Sequence, residues 1–446
     1  MTTVLTLRVA AISRQAPWVS SASVKDKITK IKRWLENCKS NHGNHCMPKA
    51  KRIPHRLIDG GTSEHPPRLV LGQQIAIQNQ QYTTLSHCWG ASLPIRTLLS
   101  NLQLYSDQIP PQTIPRTFED AMLITRELGV RFIWIDALCI VQDDAKEWEQ
   151  EAAKMKDIYS GSILNIAACD SPGSAGGCFS MNRSLTQTFH LPLVEGVPKL
   201  LVRLQPGDTR QFTKQTILSS RGWVLQEQLL SHRIISCMSD ELHWECSEAY
   251  ETELGIQFNS HPSDIRGDPR MYQCPTRWHV VNFSERNFTY WNDRLPTLSG
   301  IAENYESITG DISIIGLWQR SLIQDLLWIR MGPIAPKPAR GIGAAGLPSW
   351  SWMSCPSRIK FNIWQLTMRV RQIDRYVRVQ EYCKLIDFSV TWAGISFVSA
   401  LKSAHIVLYG PSVEVTIDIE GKLEQSNPPS FTVRYLNGVE LCTGAI

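Results

Sequence analysis

The sequence has little net charge and no long uninterrupted apolar run, and both absences exclude function classes. In 446 residues, 46 Lys and Arg stand against 41 Asp and Glu, which leaves a net charge of +5. The basic residues are scattered among acids and form no basic arm, so nucleic acid is not indicated as a partner. The most apolar stretch, residues 390–410, is interrupted by Lys402 and His405. A membrane-spanning helix needs about 20 predominantly apolar residues, and we therefore expect no membrane span.

Common catalytic and nucleotide-binding motifs are also missing. The chain contains no Walker loop, no H-E-x-x-H, no paired C-x-x-C and no G-x-S-x-G. Gly341, Gly343 and Gly346 satisfy G-x-G-x-x-G, but the run before them, PKPAR, is not a strand and Pro348 blocks a following helix. We interpret this segment as a loop.

The twelve cysteines follow no disulfide pattern. Their spacings are irregular, and a chain of this size does not need disulfide staples, so reduced thiols and a cytoplasmic location are expected. The first 25 residues contain three basic residues and no acid, a composition that also fits a mitochondrial presequence. Cys38, His42, His45 and Cys46 suggest zinc, but their spacing matches no standard zinc motif and the adjacent His45 and Cys46 make tetrahedral closure awkward. We expect a helix end packed by a buried cysteine, with no metal and no cofactor.

Residues 131–169 have the pattern of one βαβ unit. Residues 131–135 and 163–168 are dense in bulky apolar residues, as expected of strands covered on both faces. Between them Asp144 stands as an N-cap with Glu147 three residues on, and apolar residues recur at helical spacing as far as Tyr159.

Strands and helices alternate from residue 82 to 246, which predicts an α/β fold with a doubly wound, mostly parallel sheet. We expect an N-terminal helix and Cys/His segment over 1–50, the sheet domain over 51–250, and a mixed helical and β-rich region over 251–446.

Ligands of such sheets bind outside the carboxyl ends of the strands, and three groups of residues are expected there. The candidate site residues are Ser86, Trp89 and Gly90 after the first sheet strand, Asp136, Cys139, Gln142 and Asp143 after the next, and Arg221, Trp223, Gln226 and Glu227 around a helix that starts near Ser220. Trp223 and Glu227 are four residues apart and therefore share one helix face. Non-functional interpretations stay open: Trp89 can plug the sheet end, Asp136 can cap the turn 137–140, and Glu227 can be an arginine-paired helix residue.

Three stretches together resemble the fungal heterokaryon-incompatibility (HET) domain. They are YTTLSHCWG (82–90), IPRTFEDAMLITRELGVRFIWIDALCIVQDD (114–144) and RGWVLQEQLLSHRII (221–235). Where many members have tyrosine after the serine of the first motif, this chain has His87. The resemblance implies an intracellular protein of fungal non-self recognition that triggers cell death.

The resemblance also implies a fold similar to TIR domains, some of which cleave NAD at the nicotinamide bond with a helical glutamate. Glu227 matches that glutamate, and Asp136 would bind ribose hydroxyls, Trp89 or Trp223 would stack on a ring, and Arg221 would meet a phosphate. NAD would then be a substrate. The alternatives are a non-enzymatic signalling module that self-associates or binds other incompatibility proteins, and a thiol or metal hydrolase that uses Cys139 or the Cys/His segment.

Overall fold

The computed structural model describes most of the chain. The described residues are 23–48, 53–62, 65–75, 81–90, 95–179, 188–191, 200–203, 216–239, 241–253, 257–258, 275–331, 346–361, 383–410, 415–420, 430–435 and 440–445. The basic start of the chain up to residue 22 and the glycine-rich residues 341–345 lie outside them. The chain forms two compact units. The first unit contains the described residues up to Gly310 and residues 394–399, and the second contains most residues from Asp311 onwards. The first unit thus continues past residue 250, where the sequence pattern changes.

The first unit contains eleven described strands and nine described α-helices, besides short 3₁₀ helices. The strands are β1 Arg56–Asp59, β2 Arg68–Leu71, β3 Tyr82–Ser86, β4 Phe132–Trp134, β5 Leu164–Ala168, β6 Thr188–Leu191, β7 Leu200–Arg203, β8 Arg233–Cys237, β9 Leu242–Cys246, β10 Tyr250–Thr252 and β11 Gln257–Phe258. The helices are α1 Val24–Asn41, α2 Leu102–Asp107, α3 Arg116–Glu127, α4 Asp136–Cys139, α5 Ala145–Ala153, α6 Met155–Gly161, α7 Val224–Leu230, α8 Pro275–Ser284 and α9 Pro296–Thr309.

Nine of these strands form one mixed sheet in the order β11-β10-β9-β8-β5-β3-β4-β1-β2. The four central strands β8, β5, β3 and β4 are parallel to one another. The outer pairs on both sides are antiparallel. The α/β class is confirmed, whereas the expected mostly parallel sheet is correct only for the centre, because the flanking strands join as antiparallel neighbours.

Local sequence explains the elements next to the parallel centre. β3, β4 and β5 are buried along their whole length, as strands between other strands should be. The α5 helix starts where expected: the Asp144 side chain accepts hydrogen bonds from the backbone N–H groups of Lys146 and Glu147. The predicted single helix through Tyr159 is interrupted at Lys154, which separates α5 from α6.

The second unit is built from short strands and one short helix in its described part. Its elements are β12 Ser313–Ile314, β13 Leu317–Trp318, α10 Leu322–Asp325, β14 Trp328–Arg330, β15 Ile359–Phe361, β16 Lys384–Trp392, β17 Leu401–Tyr409, β18 Val415–Glu420, β19 Ser430–Tyr435 and β20 Glu440–Ala445. They pair as three two-stranded sheets and one three-stranded sheet, all antiparallel. None of the helices in the described ranges of the whole chain is both long enough and apolar enough to cross a membrane.

Candidate active site at the carboxyl ends of the parallel strands

The site lies where the strand order of the parallel centre reverses. Taken in chain order, β3 is the first parallel strand, and its neighbours β4 and β5 continue to opposite sides of it. In open α/β sheets the crevice outside the carboxyl ends at such a point is the usual ligand position. Ser86 ends β3 and Asp136 follows β4 at this end.

Glu227 is buried on α7 beside this edge. The helix begins at Val224 with Trp223 as N-cap. Glu227 is only 7 % exposed. Burial raises the pKa of the Glu227 carboxyl to about 7. The nearby Ser86 and Tyr159 side chains and the charge of Arg221 oppose the rise, whereas the charge of Asp136 adds to it.

One oxygen of this carboxyl is unsatisfied. Glu227 Oε2 is buried and finds no hydrogen-bond partner among the described residues. An unpartnered buried acceptor is costly and calls for an explanation, such as a ligand or a catalytic role. The negative charge of Asp136 also acts on this buried carboxyl, so the two carboxyl groups lie close enough to interact electrostatically.

A buried polar network holds Ser86 in place. The Ser86 hydroxyl and the Asn165 side chain exchange hydrogen bonds of 3.2 and 3.0 Å between adjacent strands. Thr84 Oγ1 also donates to Asn165 Oδ1 over 3.2 Å. Because Asn165 is fully buried and hydrogen-bonded to two side chains of β3, this network positions the Ser86 hydroxyl.

Asp136 is the more exposed carboxylate, with 29 % of its side chain accessible. Its Oδ2 accepts a 2.9 Å hydrogen bond from Trp89 Nε1, and its Oδ1 accepts the backbone N–H of Ala137 over 2.8 Å. Asp136 is the first residue of the short helix α4, whose N-cap is Ile135. Its carboxylate also fixes the Trp89 indole at the edge of the site.

His87 is a buried neutral imidazole. Burial lowers its pKa to about 4, although the nearby Asp136 charge acts in the opposite direction and Arg221 adds to the lowering. Its Nδ1 is 3.7 Å from Asp136 Oδ1, and its ring makes an edge contact with Phe118 at 4.9 Å between centroids. His87 Nε2 is buried and unpartnered within the described ranges.

Arg221 and Trp223 directly precede α7, the helix that carries Glu227. The Arg221 guanidinium donates a hydrogen bond to the carbonyl oxygen of His87. Trp223 Nε1 donates to Asp293 Oδ2 over 3.2 Å, and its ring meets Trp148 edge-on at 6.1 Å. Both residues are half-buried, so each can contact a ligand.

Three further site residues come from segments that the sequence motifs did not assign to the site. Burial raises the pKa of Asp293 to about 6, against the opposing effects of Trp223 and Arg221. Burial lowers the pKa of Arg286 to about 10, with Glu227 opposing the change. Tyr159, assigned to an apolar helix face, is buried beside Glu227, and burial raises its pKa.

The other candidate residues have structural positions instead. Cys139 is fully buried in the core, and burial raises the pKa of its thiol. The Gln142 side chain donates to the carbonyls of Asp136 and Ile140, and Asp143 is exposed and accepts the N–H of Leu99. Gln226 Oε1 accepts the N–H of Gly300 and joins α7 to α9. A ligand-binding role for these four residues stays a prediction.

Gly90 serves backbone geometry. It has a positive φ of 83°, and a Cβ at this position would lie 3.0 Å from the Cα of Gly173. The loop after β3 therefore touches the 171–178 loop at a place where only glycine fits.

The comparison with known families matches this region. Residues 82–227 match the family model described as Heterokaryon incompatibility protein (HET). The chain contains a HET domain. This domain runs from β3 to Glu227 on α7 and so includes Ser86, Trp89, Asp136 and Glu227. Neither the curated proteins nor the solved structures provided a match.

Proposed function

We propose that the HET domain is an intracellular effector of fungal non-self recognition and cell death that acts by cleaving the nicotinamide–ribose bond of NAD. The buried Glu227 carboxyl carries this proposal, because one of its oxygens has no hydrogen-bond partner in the described part of the chain and its pKa is raised, features that are typical of functional groups. The order of the central strands supports the TIR-like part of the proposal, since the second, first, third and fourth parallel strands follow one another as in flavodoxin-like sheets.

The proposed reaction needs only one carboxylate at the reacting carbon. Nicotinamide leaves as a neutral molecule from a cationic ribosyl bond, so no general acid is required, and water then adds to the ribosyl carbon to give ADP-ribose, nicotinamide and a proton. The Glu227 carboxylate would stabilise the oxocarbenium-like transition state. A charge pair at about 4 Å with an effective dielectric constant near 20 is worth roughly 4 kcal/mol, which corresponds to about a thousandfold in rate.

The remaining residues would bind the substrate. Asp136, half-exposed and fixed by Trp89, would accept hydrogen bonds from ribose hydroxyls. Trp223, held by Asp293, would stack against a ring, and Arg221 would meet a phosphate. The cationic nicotinamide ring would also lower the pKa of Glu227 and favour its ionised form when substrate is bound.

The deciding test compares Glu227→Gln with wild type, both as purified full-length protein supplied with NAD and in cells that express it. We expect the rate of NAD loss to fall about a thousandfold, because the amide carries no charge, and toxicity to fall with it. Glu36→Gln, the same exchange at an exposed position of α1, is the matched control and should behave as wild type.

Two outcomes would contradict the proposal in different ways. NAD loss that is equal in wild type and Glu227→Gln would remove Glu227 from the chemistry. Toxicity that persists while NAD stays constant would favour the non-enzymatic module, in which the domain signals by self-association or by binding other incompatibility proteins.

A further inference from the structure

Three cysteines and one histidine converge in the first unit, apart from Glu227 and its neighbours. Cys38, His42, Cys46 and Cys246 each direct one ligand atom to a common point, and these four atoms all lie within 4.8 Å of one another. The three thiols are buried and His42 is half-buried. The sequence segment 38–46 supplies three of the four residues, and the fourth comes from 200 residues further along the chain.

Local structure brings the first three together. Cys38 lies in the last turn of α1 and His42 is its C-cap, four residues on, so both side chains are on one face. Gly43 then turns the chain with a positive φ of 49°, and a short 3₁₀ helix, Gly43–Cys46, returns Cys46 to the same place. Cys246 is the last residue of β9, so the group joins α1 to the antiparallel side of the sheet.

We propose that this group binds a structural Zn²⁺ ion through the sulfurs of Cys38, Cys46 and Cys246 and Nδ1 of His42. Three cysteines and one histidine are an established zinc ligand set, and a tetrahedral site with its usual bond lengths places the ligand atoms roughly 3.5–3.8 Å apart. His42 Nδ1 is 3.3 Å from the Cys246 sulfur and 4.0 Å from the Cys46 sulfur. Small side-chain rotations would complete the tetrahedron.

The neighbouring residues suit a charged metal centre. Three thiolates and a neutral imidazole around Zn²⁺ carry one net negative charge, and Arg233 Nε donates a 3.1 Å hydrogen bond to the Cys38 sulfur. Outer hydrogen bonds of this kind orient metal ligands. Four protein ligands leave no open position, so the ion would be structural and not catalytic.

His45 is not part of this site. Its side chain is 77 % exposed and its Nδ1 is 2.7 Å from Glu248 Oε1. The adjacency of His45 and Cys46, which argued against zinc in the sequence, therefore creates no geometric conflict. Cys246 takes the position that a set restricted to residues 38–46 could not fill.

Zinc would attach α1 to the sheet at a place where they already pack. Trp34 of α1 stacks on Trp244 of β9, with ring centroids 6.2 Å apart, and Lys30 pairs with Glu251 of β10 over 2.8 Å. The metal would add a link at the end of α1 that carries Cys38.

Metal analysis of the purified full-length protein tests the proposal. We expect one zinc per chain after purification without chelators, and less than half of that in Cys246→Ser and Cys46→Ser. His45→Ala, a change beside the ligands but outside the set, should keep one zinc per chain. Folded wild-type protein with far less than one zinc per chain, even after zinc is added, would overturn the site.

A cobalt experiment covers the case in which a serine variant does not fold. Co²⁺ added to metal-free wild-type protein should give thiolate-to-metal charge-transfer absorption, and His45→Ala should give the same spectrum. Cys246→His restores four ligands and should retain metal with a weaker thiolate band. Absence of the thiolate band in folded wild type, or Cys246→Ser with wild-type zinc content and cobalt spectrum, would refute the four-ligand set.

Discussion

At the residue scale, the Glu227 carboxyl lies in an environment that disfavours its charged form. Its carboxyl is buried, its pKa is raised to about 7, and one oxygen lacks a partner among the described residues. A buried carboxyl oxygen without a hydrogen-bond partner costs free energy, because nothing compensates the hydration that it loses on folding. Under the proposed function, a bound ligand would supply the missing interaction and offset this cost.

Asp136 should tune the ionisation of Glu227, and a pH profile can measure this. The charge of Asp136 raises the pKa of Glu227, so Asp136→Asn should lower it. Since the proposed chemistry needs the ionised carboxylate, activity should rise with pH through a midpoint near the Glu227 pKa. We predict that this midpoint moves to lower pH in Asp136→Asn, measured as kcat/KM for NAD hydrolysis against pH.

The midpoint of the pH profile distinguishes a change in the Glu227 pKa from a loss of ribose binding. A loss of ribose binding would lower kcat/KM by the same factor at every pH and leave the midpoint unchanged. Asp107→Asn, an exposed carboxylate on α2, is the control and should leave the profile in place. A profile of Asp136→Asn that is scaled down but not displaced would show that Asp136 does not act on Glu227.

The sequence indicated part of this site and could not indicate the rest. Asp136 is a candidate because it follows a strand at the ligand-binding edge, and Glu227 because it shares a helix face with Trp223 and matches the glutamate that the resemblance implies. Asp293 and Arg286 come from a segment after the matched motifs, and nothing in their local pattern places them near Glu227. Tyr159 has helical spacing with apolar residues, so its hydroxyl was hidden within a core pattern.

At the scale of elements, two loops touch through their backbones at the edge of the site. Gly90 follows β3, and Gly173 lies in the loop after β5, with 3.2 Å between a Cβ built at Gly173 and the Cα of Gly90. Ser174 adds a 3.5 Å hydrogen bond from its hydroxyl to the carbonyl of Trp89. This contact holds the loop that carries Trp89.

Gly90→Ala should destabilise the protein more than an ordinary glycine replacement. The new methyl group would combine a positive φ with a backbone contact at 3.0 Å, and we expect a loss of about 2–3 kcal/mol in the free energy of unfolding by urea titration. Gly129→Ala is the matched control, since Gly129 has a φ of 74° with nothing within 4 Å of its added Cβ. Its loss should be roughly 1 kcal/mol, and equal losses in both variants would refute a role for the loop contact.

The break between α5 and α6 illustrates what periodicity cannot reveal. Lys154 has a ψ near zero and its N–H bonds to the carbonyl of Glu151, which tightens the turn there. Ala152, Met155 and Tyr159 are nevertheless all buried. Because the apolar face continues across the break, the sequence pattern is that of one helix.

At the scale of the whole molecule, the alternation of strands and helices predicts the parallel centre of the sheet. The antiparallel strands at its margins can be predicted only where the connection between two strands is short. β8 ends at Cys237 and β9 begins at Leu242. Parallel neighbours need a crossover of a dozen or more residues, so this short connection could only join antiparallel strands. The pairing of β1 with β4 had no such local signal, because the two strands are distant in the chain.

Stability of the first unit should depend on pH through three buried groups with opposing effects. Glu227 and Asp293 have pKa values of about 7 and about 6 in the folded protein, above 4.5 and 3.8. Between those limits the folded state holds protons that the unfolded chain has released, so stability falls as pH rises. His87, with a pKa of about 4 instead of 6.5, acts oppositely: the unfolded chain binds the proton first, so stability falls as pH decreases.

Glu227→Gln isolates one of these contributions. At pH 8 the folded wild type must hold a buried charge that the variant lacks. Near pH 4 the wild-type carboxyl is largely protonated in both the folded and the unfolded protein. We therefore predict that the variant is more stable than wild type at pH 8, by on the order of 2 kcal/mol, and that the difference shrinks as pH falls toward 4. Urea titrations at both pH values measure it, and Glu36→Gln reports the background of the exchange at an exposed site. A Glu227→Gln variant less stable than wild type at pH 8 would mean that the carboxyl gains more from Ser86, Tyr159 and Arg221 than burial takes away.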